Sequence, residues 1–334
     1  MKIFTKETGS PLPLDASSMN RIPVTLITGF LGAGKTTLLN NLLTQSQHEK
    51  LAVIVNEFGE VGIDDKLLLR TDEEILEMNN GAICCAVRND TVKVLTKLVE
   101  NKSIKFDRVI IETTGLANPV PIARAFLDKP ALEEKYRLDT IVTMVDASQI
   151  LPQLSATPEA KTQIAAADVI LLNKIDLSDE RTIAVAKQRL RQINPIATIH
   201  ETTKSDLSLE LLRPENADQT FVREYTTEDH THGHDDEVTS FVLTEHRPLD
   251  LEKVTHWIGE HIMLNSQNLL RYKGLLNIHG YDDRFVFQGV HEHFENKSER
   301  PWGNEDRTSQ VVIIGKDLDK EAFKKSFATL FADV

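Results

Sequence analysis

Glycines, a lysine and three hydroxyls or small side chains crowd one run: Gly29-Phe-Leu-Gly32-Ala33-Gly34-Lys35-Thr36-Thr37. Glycines let backbone N–H groups close around an anion, and an ammonium and a hydroxyl follow at once. The spacing G-x-x-x-x-G-K-[ST] suits nucleotide phosphates, with Lys35 on the β- and γ-phosphates and Thr36 on a magnesium ion. Gly29, Gly32, Ala33, Gly34 and Thr37 are expected to complete the cradle. Such a loop needs a carboxylate to hold a magnesium-bound water. Glu112-Thr-Thr-Gly115 offers one, and Gly115 can let its backbone approach the γ-phosphate. An E-x-x-G is weak alone and persuasive on the strand that should follow a phosphate loop. Asn173-Lys174-Ile-Asp176 supplies a base reader. Asp176 can accept two hydrogen bonds from guanine N1 and N2, a pair that adenine lacks. Asn173 is expected to bond the base edge, and the Lys174 stem to lie along the ring. Thr203, with Lys204, falls where a closing loop would touch the base.

These residues predict magnesium-dependent GTP hydrolysis, with Lys35, Thr36 and Glu112 as the catalytic set. No side chain stands out as the water activator, and no arginine finger is visible. Turnover without a partner is therefore expected at about 10⁻⁴–10⁻² s⁻¹.

A second chemistry concerns soft metals. The chain's two cysteines, Cys84 and Cys85, are adjacent in Asn79-Asn-Gly-Ala-Ile-Cys-Cys. One peptide link holds their Cα atoms too close for ordinary disulfide geometry. They read as thiols in an asparagine- and glycine-led turn, open to a metal or packed as small apolar groups. Before them runs Asn56-Glu-Phe-Gly-Glu60-Val-Gly-Ile-Asp-Asp65. Carboxylates and thiols thus share the segment that would sense a γ-phosphate. His230-Thr-His232-Gly-His234-Asp-Asp-Glu237 is either a loose collector of zinc, cobalt or nickel or a solvated acidic loop. His291-Glu-His293 reads as an exposed strand end.

Positioning these groups requires a scaffold. The β-branched runs 24–28, 51–56, 108–112, 140–146, 168–173 and 197–202 alternate with helical patterns and end in polar residues. Continuous apolar strands of this kind form parallel sheets covered on both faces, with ligands at the carboxyl ends. The fold class is therefore α/β: a P-loop GTPase parallel sheet, plus a smaller C-terminal α+β domain. The expected boundaries are a polar extension (1–20), the GTPase domain (21–212), a His- and acid-rich linker (213–237) and the second domain (238–334). In that domain 239–245, 275–280, 284–290 and 310–315 read as strands and 251–263 and 320–331 as helices. A formal net charge of −13 disfavours nucleic acid and anionic membranes as partners. No run near the N-terminus is long enough to span a bilayer or ordered like a signal peptide, so a cytoplasmic location is expected.

At this level the chain resembles a known family. The stretches NEFGEVGIDD, N-G-x-x-C-C, ETTGLANP, NKID, LLRYKG and FQGV together resemble the CobW-type metallochaperone GTPases, from about residue 21 to about 331. The resemblance implies GTP hydrolysis coupled to delivery of a transition metal, usually zinc or cobalt, to a client metalloprotein in the cytoplasm. It also implies metal ligands at Glu60, Cys84 and Cys85. Two departures stand out. The family's C-x-C-C turn begins with Ala82 here, and a carboxylate that some members carry before the asparagine is Val55. Thiolates favour zinc, cobalt less strongly. A four-coordinate site would still need a water, a histidine or a partner's ligand, and a metal-bridged homodimer would be one way to supply it. The competing reading is a regulatory GTPase switch whose cysteines are structural.

Overall fold

The computed structural model describes residues 21–46, 49–56, 75–77, 83–87, 91–101, 105–128, 130–212, 238–290 and 293–332. The chain divides into two compact units, each built on its own sheet.

The first unit contains β1 (Ile22–Gly29), β2 (Leu51–Asn56), β3 (Ile75–Glu77), β4 (Ile83–Val87), β5 (Arg108–Glu112), β6 (Tyr136–Asp146), β7 (Val169–Asn173) and β8 (Thr198–Glu201). They form one sheet in the order β3-β4-β2-β5-β1-β6-β7-β8. Every pairing is parallel except that of the edge strand β3 with β4. All residues of β5 and β7 are buried, as the unbroken apolar runs require. The helices are α1 (Lys35–Gln45), α2 (Thr91–Glu100), α3 (Val120–Asp128), α4 (Pro130–Glu133), α5 (Ile150–Ala156), α6 (Pro158–Ala165) and α7 (Glu180–Ile193). Leu38, Leu39 and Leu42 share one face of α1 and pack with Ile27, Val53, Ile110, Val142 and Leu171. At the far end of the sheet Arg108 is buried, yet its guanidinium meets Glu49 at 3.1 Å, Asp139 at 2.8 Å and Thr25 at 3.0 Å. A buried cation is tolerable only with such partners. They tie three strands and the β2 approach together beneath the site.

The second unit contains β9 (Val238–Glu245), β10 (Leu269–Leu276), β11 (Asp283–Val290), β12 (His293–Pro301) and β13 (Ser309–Lys316), antiparallel in the order β12-β11-β10-β13-β9. Helices α8 (Leu251–Trp257), continued by a π-helical turn at Ile258–Met263, and α9 (Lys320–Phe327) pack on it through Trp257, Ile262, Phe323 and Phe327. Asp250 and Asp319 cap α8 and α9, each accepting a backbone N–H at 2.9 Å. The expected strand at 275–280 is corrected: β10 runs through Arg271-Tyr-Lys-Gly274 and ends at Leu276, and β12 had no clear apolar pattern to announce it. Gly274 is required there, because a Cβ would lie 2.7 Å from Val311 Cγ2 and 2.8 Å from the Gln310 carbonyl oxygen. Among the described residues no helix is long and apolar enough to cross a membrane.

Candidate nucleotide site

The phosphate loop begins where β1 ends. Gly29 has φ +130°, and a Cβ on it would lie 2.2 Å from the Met144 carbonyl oxygen of β6. Gly34 has φ +108° at the start of α1, and a Cβ there would meet Asn173 Nδ2 at 2.5 Å and Ser205 Oγ at 2.7 Å. Both positions therefore exclude side chains on two counts, conformation and space. Ala33 is buried, Thr37 is exposed in the first turn of α1, and the N-terminus of that helix offers its free N–H groups to an anion. Lys35 donates to the Gly29 carbonyl at 2.7 Å and the Phe30 carbonyl at 3.1 Å, so its ammonium lies across the loop.

Thr36 Oγ1 donates to Glu112 Oε1 at 3.1 Å. Residues 76 positions apart in sequence thus bring two oxygen ligands together beside the loop. Hard oxygens on adjacent elements fit magnesium. Beyond Glu112 the chain is locked to the phosphate loop. The Thr113 N–H donates to Ile27 O at 2.9 Å, and the Thr113 hydroxyl to Thr28 Oγ1 at 3.0 Å. Gln163 on α6 donates to the carbonyls of Ala117 at 3.0 Å and Gly115 at 3.3 Å. A Cβ on Gly115 would lie 2.5 Å from the Leu31 backbone nitrogen, so the E-x-x-G glycine serves close contact between the two loops.

At the other end of the site, β7 delivers Asn173, then Lys174 in a left-handed conformation (φ 60°), then a short 3-10 turn carrying Asp176, which is exposed. Asn173 is held by four hydrogen bonds. Its amide donates to Ala33 O at 2.9 Å and Ser205 Oγ at 3.0 Å, and accepts from the Ser205 N–H at 2.9 Å and the Thr202 hydroxyl at 3.1 Å. Two donors and two acceptor positions are all an amide has. Asn173 therefore ties the phosphate loop to the 202–205 loop. Asn41 of α1 secures the same loop, donating to the carbonyls of Lys204 and Ser205 at 3.1 and 3.0 Å. Thr203 is half-buried within it. Asp146, Gln163 and Ser205 escaped the sequence reading. Only Asp146 left a signal, as the polar residue closing an apolar strand.

Cys84 and Cys85 lie on β4, not in a turn. Cys84 pairs with Val53 of β2 and Leu76 of β3, and Cys85 with Ile54 and Ile75. The run Ile-Cys-Cys-Ala-Val behaves as an apolar strand because cysteine substitutes readily for a small hydrophobe. Val55, one residue on, is buried and registers with Ala86 on one side and Glu112 on the other. Glu60, Ala82, His230, His232 and His234 lie outside the described residues. Among the described residues no group of three or more His, Cys, Asp or Glu could hold a metal ion.

Residues 23–201 match the family model of the CobW/HypB/UreG nucleotide-binding domain, and residues 238–331 match that of the cobalamin synthesis protein cobW C-terminal domain. The chain belongs to the CobW family. Its first unit is a P-loop GTPase domain. Among its relatives is a protein of Escherichia coli (strain K12) named zinc chaperone YjiA, 37% identical over 93% of this chain and 99% of the relative. A Schizosaccharomyces pombe protein named zinc-regulated GTPase metalloprotein activator 1 is 31% identical over 91% of this chain and 84% of its own. The solved structure of the Zn(II)-bound YjiA GTPase superposes with a TM-score of 0.75 at 35% identity, covering 94% of this chain and all of that one. A triple mutant of the same GTPase, with one glutamate and two adjacent cysteines replaced by alanine, is also described as Zn(II)-bound and superposes equally well. The replaced glutamate stands as far before its cysteine pair as Val55 stands before Cys84 in this CobW-family chain. By that spacing, the relative's carboxylate has no counterpart here.

Proposed function

We propose that this CobW-family protein is a GTP-hydrolysing metallochaperone that binds zinc, adjusts its zinc affinity with nucleotide state and passes the metal to client metalloproteins. The names carried by the relatives support the zinc reading. The observation that carries the coupling is the register across β4, β2 and β5. It sets the cysteine strand two strands from the one that ends in Glu112.

Lys35, with Gly29, Gly32, Ala33, Gly34 and Thr37, would hold the phosphates. Thr36 and Glu112 would hold magnesium, which supplies charge neutralisation at the β- and γ-oxygens. Gly115 would face the γ-phosphate, and Lys174, Asp176 and the Thr203 loop the guanine. Glu60, Cys84 and Cys85 form the proposed zinc site, a set that would also accept cobalt, with His230, His232 and His234 as a collecting tract. Because Val55 and Ala82 bring no ligand, the site needs a further donor from water, a histidine, a second copy or a client. Such incompleteness suits transfer. Paired thiols also suit a reducing cytoplasm. The GTPase domain (21–212), linker (213–237) and second domain (238–334) are retained as the working division.

The test is zinc affinity by competition with a chromophoric chelator, in nucleotide-free, GDP–magnesium and non-hydrolysable GTP–magnesium forms. Wild type is compared with Cys84→Ser/Cys85→Ser and with a deletion of 230–237. A nucleotide-dependent shift that disappears in the double mutant supports the chaperone reading. Equal affinity in all nucleotide forms sinks it and leaves a regulatory GTPase. The deletion arm matters because the relative's triple mutant is zinc-bound without its cysteine pair.

A further inference from the structure

The end of β6 holds a carboxylate that the phosphate and base motifs leave unused. Asp146 registers with Asn173 on β7, and the Ala147 N–H donates to the Asn173 carbonyl at 2.9 Å. Asp146 therefore stands beside the residue that introduces Lys174. Its Oδ2 accepts from Lys174 Nζ at 2.8 Å. Its Oδ1 accepts from the Ser148 N–H at 2.9 Å and the Ser148 hydroxyl at 2.7 Å. The Ser148 contacts form a local turn that stops the carboxylate from rotating. The Asp146 side chain is 9% exposed, that of Lys174 32%. A fixed, buried anion thus holds the tip of a longer, part-exposed cation.

We propose that Asp146 is a positioning residue of the guanine site, pinning the Lys174 ammonium so that the lysine stem stands ready as one wall of the base site. The inference rests on the guanine-nucleotide reading above and deepens it. The physical basis is conformational entropy. A free lysine stem samples many rotamers, and ordering such a side chain on binding costs free energy. Asp146 imposes that order before the nucleotide arrives. Burial alone would push the Asp146 carboxyl up. The hydrogen bonds from Lys174 and Ser148, with the Lys174 charge, outweigh it and hold the group below the usual carboxylate range. The anchor is therefore charged at neutral pH.

The pinned stem would lie on the ring face, which all purines share, while Asp176 reads the edge. Asp146 should thus govern affinity without governing base choice or chemistry. The test is titration of wild type, Asp146→Asn, Lys174→Ala and the double variant with fluorescent GDP. ATP and GTP are compared by competition, and kcat at saturating GTP by phosphate release. Asp146→Asn is expected to weaken GDP and GTP alike by about 3- to 10-fold, a ratio set by that ordering cost. The GTP-over-ATP preference and kcat should be unchanged, and adding Asp146→Asn to Lys174→Ala should cost nothing more. Ser148→Ala, which loosens the carboxylate but keeps its charge, should give a smaller loss in the same direction. Wild-type affinity in Asp146→Asn overturns the proposal, as do additive losses in the double variant or a fall in kcat. Thermal unfolding without nucleotide guards against misfolding: if Asp146→Asn is unfolded, an unaltered affinity in folded Ser148→Ala also overturns it. If wild-type protein bound no guanine nucleotide, the parent reading would fall, and this one with it.

Discussion

Asn173 is 2% exposed and has its whole hydrogen-bonding capacity engaged. Truncating it to alanine would strand the Ala33 carbonyl, the Ser205 N–H and the Thr202 hydroxyl in a buried place. Unsatisfied groups of this kind cost about 1–3 kcal/mol each where they cannot relax. Asn173→Ala is therefore expected to lower stability by roughly 2–4 kcal/mol in urea denaturation and to weaken GDP binding in fluorescence titration. A variant of wild-type stability would show that the tie between the two loops is not holding them. The sequence made Lys35, Thr36, Glu112 and Asp176 legible because their chemistry lies in short local patterns. It did not announce the loop-tying role of Asn173, because the amide's partners lie 140 and 32 residues away. Asp146 and Gln163 stayed hidden for a related reason: a positioning group needs only the right neighbour in space.

Elements meet so closely at two glycines that a single methyl group decides the outcome. A Cβ on Gly115 would press on the Leu31 backbone at 2.5 and 2.8 Å, and backbone cannot swing aside as a side-chain tip can. Gly115→Ala is expected to cut GTP turnover at least about tenfold and stability by about 1–3 kcal/mol, read by phosphate release and thermal unfolding. Gly274→Ala serves as its control. It should cost a similar 1–3 kcal/mol or so by prising β10 from β13, yet leave turnover per folded molecule intact. A second clasp closes the C-terminal unit. Arg247 donates to both Glu245 oxygens at 2.8 and 2.7 Å and stacks on Phe331 at 3.6 Å. The Arg247 hydrogen bonds pull the Glu245 carboxyl down to about 2, against its burial. As pH falls, the unfolded chain takes up this proton first, so the clasp stabilises fully above about pH 4.5 and fades towards pH 2. Glu245→Gln is expected to lose about 1–2 kcal/mol at pH 7, with the gap to wild type narrowing from pH 5 to pH 3 in denaturant titrations. A constant gap would place the stabilisation elsewhere. Element identity was largely legible in the first unit, where apolar runs are unbroken. It failed at β4, because Asn79-Asn-Gly drew attention to a turn and five residues of strand are too few to show a period. It failed at β12, whose His-Phe-Glu-Asn-Lys-Ser-Glu-Arg-Pro sequence is charged like an edge.

For the molecule as a whole, coupling between metal and nucleotide must run both ways. Whatever factor GTP applies to zinc affinity, zinc must apply to GTP affinity. Titrating non-hydrolysable GTP with and without zinc should return the ratio found for zinc with and without the nucleotide. Unequal ratios would mean that one ligand is also binding at a separate place, such as the histidine tract. The two-unit plan was legible from the change in strand pattern near residue 212, while metal stoichiometry had no such signature, since its candidate ligands are scattered along the chain. The parallel ladder adds a constraint. Cys85 shares a row with Ile54 and Ile111, the residue just before Glu112. Two strand spacings, about 9.6 Å, separate these rows, and hydrogen-bonded spacings do not stretch. The cysteine backbone and Glu112 therefore ride on one stiff plate. Nucleotide turnover cannot pull that plate apart, so letting go of a metal would be an unlatching: the anchored end stays put, and the donor that swings away comes from off the sheet.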